Sequence, residues 1–132
     1  YKIYEFLRDV KGYEEQAWLT QKLAEAKDKS AVISETAMSG LCTTCVLAME
    51  MLVDFMARRA NNMVLNYKAT GGLILAGGIP PRIYNFINKD KIEESFLKCD
   101  EMEPLLAGIP IYLNLNSKTA LYGAAYYGAF SE

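Results

Sequence analysis

Apolar residues recur at helical spacing from the start of the chain. Ile3, Phe6, Leu7 and Val10 fall at i, i+3, i+4 and i+7, which predicts a helix over about residues 2–10 that ends near Lys11-Gly12. A second helix is expected from about Tyr13 to Lys27, with Trp18, Leu19 and Leu23 on one side and Glu14, Glu15, Lys22, Glu25 and Lys27 elsewhere. That division marks a surface helix. The charged turn Lys27-Asp28-Lys29 leads to a short helix for which Ser34 is the expected N-cap, and Ser39-Gly40 then breaks the chain. From Leu41 to Tyr67 neither proline nor glycine occurs, so one helix of ~40 Å is expected. Glu50, Asp54 and Arg58 recur every fourth residue along it, which argues against a membrane span. Apolar residues on too many other faces argue against a coiled coil. The expectation is a largely buried helix lying against a sheet.

The period then changes. Leu73–Ala76 reads as a short buried strand, and Ile109, Ile111, Leu113 and Leu115 alternate with Pro110, Tyr112 and Asn114 as a second. Between them lie a helix from about Pro81 to Ile87, with Ile83, Phe86 and Ile87 inward, a turn at Asn88-Lys89-Asp90, and a short helix carrying Ile92, Phe96 and Leu97. The acidic run Asp100 to Glu103 is expected to be an exposed loop. Strand, helical crossover and strand make a right-handed βαβ unit with parallel strands. Ser117 is the expected N-cap of a last helix, where Ala120, Gly123, Ala124 and Ala125 permit close packing and Tyr126 and Tyr127 pack onto neighbours. The fold class is α/β and mostly helical. Two strands are too few for a stable sheet, so the others are expected from further chain or from another copy.

Composition narrows the classes. The 132 residues are 52% hydrophobic and 23% charged with net charge −2, ordinary for a globular protein and without the basic excess of a nucleic-acid binder or the charge run of a membrane-surface segment. Three cysteines argue against a disulfide framework and for a reducing cytoplasm. Because the amphipathic pattern is already running at Tyr1, residues 1–132 are expected to be a piece of a larger protein.

The chemistry concentrates at Gly71-Gly72-Leu73-Ile74-Leu75-Ala76-Gly77-Gly78-Ile79-Pro80-Pro81-Arg82. A strand, a glycine turn and a helix start is a common way to hold a nucleotide, since backbone without a Cβ approaches a ligand closely. Glycines at a strand end equally often serve the turn alone. The pair is not G-x-G-x-x-G, and the next strand closes on Asn114 and Asn116 rather than an acidic residue, which ranks a dinucleotide oxidoreductase last. Cys42-Thr43-Thr44-Cys45 has metal or redox spacing, but with no second ligand pair and no histidine the thiols read as core residues. Arg82 suits phosphate or an acidic neighbour, the second being favoured, and Asn62 and Asn66 read as helix-end residues. No residue set for a metal is assigned.

The run ATGGLILAGGIPPRI, followed by IPIYLNLN and ALYGAA, resembles the C-terminal segment of bacterial glucokinases. These are the non-ROK, ATP-dependent family with the hexokinase–actin–Hsp70 (ribonuclease H-like) ATPase fold. SETAMSGLCTTCVLAM resembles the family's segment with two cysteines three apart, and ANNMVLN its Asn-rich lead into the strand, so the resemblance runs from about Ile33 to Gly128. It implies the C-terminal part of the large domain of a cytoplasmic enzyme that uses ATP and Mg2+ to phosphorylate glucose, as a homo-oligomer. The family's Asp-Xaa-Gly-Gly-Thr phosphate loop, catalytic Asp and sugar-holding Glu and His do not occur here, so no catalytic residue is assigned. What it implies for this segment is the adenosine side of the ATP site: Gly77 and Gly78 for backbone approach, Ile79 and Pro80 alongside adenine. A non-catalytic sugar- or nucleotide-binding regulator of the same fold is the alternative.

Overall fold

A computed structural model describes residues 1–130. Helix α1 spans Lys2–Asp9, α2 Ala17–Glu25, α3 Lys29–Met38 and α4 Thr43–Tyr67; strand β1 is Leu73–Leu75. Then follow α5 (Ile79–Ile83), a 3-10 turn Tyr84–Phe86, α6 (Lys89–Leu97), a second 3-10 turn Asp100–Met102, α7 (Glu103–Leu106), β2 (Ile111–Leu113) and α8 (Thr119–Phe130).

Helix α1 forms where the pattern places it, but of the patterned residues only Leu7 is buried, with Tyr4; Phe6 and Val10 are exposed. The second helix begins four residues later than expected. Glu15 is held by Tyr4 Oη (2.8 Å), Arg8 (2.9 Å) and Thr20 Oγ1 (2.8 Å), and these tertiary bonds keep residues 13–16 out of the helix. Leu19 and Leu23 are buried, whereas Trp18 is exposed. Ser34 is not an N-cap. Asp28 caps α3, its carboxylate accepting from the backbone N–H of Ser30 and Ala31 at 3.0 and 3.1 Å, and Ser34 sits mid-helix donating to the carbonyl of Ala31.

Helix α4 meets the sheet only along its C-terminal half; its N-terminal half packs against helices. Cys45, Ala48, Met49 and Val53 pack with α1 and α3 into one core. Ala57, Ala60 and Val64 join Phe96, Leu106 and Ile109 in a second, where Leu73, Leu75 and Ile111 of the strands also pack. Its outer side is solvated: Asp54 pairs with Arg58 at 2.8 Å and Glu50 with Lys91 at 2.7 Å, while Phe55 and Tyr67 are exposed. Buried Asn61 donates from Nδ2 to the carbonyl of Phe96 at 2.6 Å, tying α4 to the end of α6.

The strands are parallel, as expected, with Leu73, Ile74 and Leu75 opposite Ile111, Tyr112 and Leu113. Gly72 enters β1 at φ +122° against Pro110, whose Cγ lies 3.1 Å from where a Cβ would stand, so a side chain there is both strained and crowded. The acidic stretch is not a loop: residues 100–106 form the second 3-10 turn and α7, with Pro104 in the first turn of that helix. The turn before α8 is held by Asn114 and Asn116, whose side chains accept from the N–H of Asn116 and Lys118, rather than by Ser117. The expected packing of α8 is also corrected. It buries no residue, and Tyr126 and Tyr127 are exposed. Among the described residues no single helix is long and apolar enough to cross a membrane.

Candidate functional site

Beyond Leu75 the backbone turns at Gly77, which takes φ +121°, and then at Gly78, the N-cap of α5 at φ −79°, ψ −16°. Both are exposed, and a Cβ on either would meet nothing within 4 Å. Pro80 and Pro81 lie in the first turn of α5, where a missing N–H costs no helical bond. Pro80 and Ile83 are buried and fix the short helix to the core. Ile79, 52% exposed, and Arg82 are left on the outer side.

That outer side forms one wall of a cleft of about 700 Å³. One face of α3 also lines it, where Ala31, Ser34, Glu35 and Met38 recur at i, i+3, i+4 and i+7. Ala48 and Leu52 of α4 and Ile3 and Tyr4 of α1 also line it. Met38, 44% exposed, and Ile79 are apolar side chains that a flat ring can contact. Several of the polar groups are already engaged: Asp28 caps α3, Ser34 Oγ donates to Ala31 at 2.9 Å, and Tyr4 Oη donates to Glu15. Glu35 and Arg82 make no ion pair among the described residues, so the acidic neighbour favoured for Arg82 is not found.

Of the four residues singled out in the sequence, Ile79 lines the cleft, Gly77 and Gly78 lie exposed just before it, and Pro80 is buried beneath. Asn62 and Asn66 are exposed on α4 and do not line it. The α3 face is not legible in the sequence, because only the fold brings residues 31–38 beside residue 79. Cys42 and Cys45 are buried, and burial together with the hydrogen bond to Cys42 pushes the Cys45 thiol up to about 12. That environment suits packing rather than reactivity. No three His, Cys, Asp or Glu side chains converge among the described residues.

The glucokinase family model matches residues 1–130. The chain belongs to the glucokinase family. It is 34% identical over 139 residues to a glucokinase of Synechocystis sp., a match that covers 98% of this chain and 39% of the relative. A Nostoc sp. glucokinase is 33% identical over 136 residues, covering 93% and 39% respectively, and that of Psychromonas ingrahamii is 35% identical over 95 residues, covering 72% and 30%. In three dimensions the chain is similar to the crystal structure of glucokinase from an Antarctic psychrotroph, with a TM-score of 0.74 and 26% identity over 93% of this chain and 35% of that one. The resemblance to glucokinases carried by the glycine turn is thereby borne out. The chain spans about 39% of the length of the cyanobacterial relatives it matches.

Proposed function

We propose that residues 1–132 are the C-terminal part of the large, actin-like (ribonuclease H-like) domain of an ATP-dependent glucokinase, and that they supply the adenosine side of its ATP site. The observation that carries this is the exposed Gly77-Gly78 turn beside a cleft lined by Ile79 and Arg82 of α5 and by residues of α3. Without a Cβ at either glycine, sugar and α-phosphate approach backbone directly. Ile79 and Met38 offer apolar contact to the base, and the Arg82 guanidinium suits an oxygen of the phosphate chain. Pro80 supports the turn from below.

In the whole enzyme Mg2+ neutralises phosphate charge and a carboxylate takes the proton of the sugar hydroxyl. Neither role falls to a residue of this segment. Its part is to bind and orient the nucleotide, which lowers the barrier by positioning. Glucose, a cytoplasmic setting and a homo-oligomeric assembly belong to the same reading of the intact protein.

The test is a coupled assay of Mg-ATP with glucose on the full-length protein that carries this segment. Turnover, with the KM for ATP raised at least tenfold by Gly78→Val, supports the reading. Turnover with an unchanged KM for ATP removes this turn from the ATP site. Binding of sugar or nucleotide without turnover assigns the protein to the regulators of the same fold.

A further inference from the structure

The geometry points to Glu35 as the group that reads the base. Its carboxylate accepts a hydrogen bond from the exocyclic amino group of adenine, while the phosphates are directed away from it, toward Arg82 and the glycine turn. This rests on the nucleotide reading given above.

The argument is one of charge and of spare hydrogen-bonding capacity. Glu35, on α3, and Arg82, on α5, both line the cleft, and neither is paired with another described residue. The other polar groups nearby are spent, Asp28 on the N–H groups of Ser30 and Ala31, Ser34 on Ala31 and Tyr4 on Glu15. A nucleoside triphosphate is anionic at one end and carries an N–H donor at the other. An anionic carboxylate repels the first and can only accept from the second. The signs of the two groups therefore orient the ligand: phosphates to the cationic α5 side, base to α3. Met38 lies three residues beyond Glu35 on the same helical face, where it can contact the ring whose amino group Glu35 holds. A charge-assisted bond of this kind favours a ligand that supplies the donor over one that lacks it.

The test pairs a side-chain deletion with deletion of one ligand group. Binding of ATP and of purine riboside 5′-triphosphate, which has hydrogen in place of the amino group, is measured by equilibrium competition on the full-length protein. The original protein is compared with Glu35→Ala, Glu35→Gln and Gly78→Val. A preference for ATP of roughly tenfold or more is expected originally. It should collapse to near unity in Glu35→Ala through lost ATP affinity, and partly survive in Glu35→Gln, which keeps a carbonyl acceptor. An unchanged preference in Glu35→Ala, while Gly78→Val weakens both nucleotides, overturns the inference and leaves the nucleotide site standing. Equal tightening of both nucleotides in Glu35→Ala overturns it too, since only repulsion was relieved. If Gly78→Val affects neither nucleotide, the site itself is misplaced and the role of Glu35 falls with it.

Discussion

Gly77 and Gly78 are neighbours with opposite demands. Gly77 stands at φ +121°, where an L side chain is strained, while Gly78 at φ −79° faces open space with ordinary backbone. Gly77→Ala should cost about 1 kcal/mol or more of stability, and Gly78→Ala less than about 0.5, in urea denaturation. A loss of nucleotide affinity in Gly78 variants then reports the ligand and not the fold. Glu15 carries a second prediction. Burial pushes its carboxyl up, but hydrogen bonds from Tyr4, Thr20 and Arg8 outweigh that and hold it below the usual carboxylate range. A depressed folded-state pKa stabilises above the unfolded value and loses that stabilisation as pH falls through the folded one. Stability should drop on acidification below the usual carboxylate range, and less steeply in Tyr4→Phe, which itself costs about 1 kcal/mol near neutrality. The cysteines separate by burial: in the native protein a thiol reagent should modify Cys99, and reach Cys42 and Cys45 only after unfolding.

Among the elements, those with a strong period were legible in the sequence. Leu7, Leu19 and Leu23 face inward, although Phe6, Val10 and Trp18 of the same patterns are exposed, and the parallel pairing of β1 and β2 followed from the helical crossover between them. What was not legible depended on partners far away in the chain. The late start of α2 comes from Tyr4 and Arg8 holding Glu15, and the two cores along α4 come from which neighbour each half meets. The glycine turn could be read as a close-approach site, but the α3 residues lining the same cleft could not, because only the fold brings residues 31–38 beside residue 79. Asn61 shows the same dependence, since its partner is 35 residues away. Asn61→Ala should destabilise by about 2 kcal/mol, leaving the buried Phe96 carbonyl without its donor. Removing the exposed Lys91–Glu50 pair by Glu50→Ala should cost under about 1 kcal/mol. Chemical denaturation of the two variants decides between them.

At the scale of the molecule, most apolar burial lies in the two helical cores along α4, while β1 and β2 form a two-stranded sheet with no third strand among the described residues. Helix α8 presents Leu121, Tyr122, Tyr126, Tyr127 and Phe130 to solvent. Sheet edges and uncovered apolar helices both favour association. The 132-residue chain by itself should therefore sediment as a concentration-dependent oligomer, and a single monomeric species across concentrations would count against this. It should also yield no glucose 6-phosphate, because the phosphate loop and base of the family pattern lie outside its sequence. The central claim concerns where the nucleotide sits. It is tested most directly by photolabelling the full-length protein with 2-azido-ATP and mapping the modified peptides. The account predicts label in residues 30–38 and 79–83, suppressed by excess ATP. Label confined to the separate cavity between α6 and β2, or absent from these residues while glucose is still phosphorylated, would contradict it.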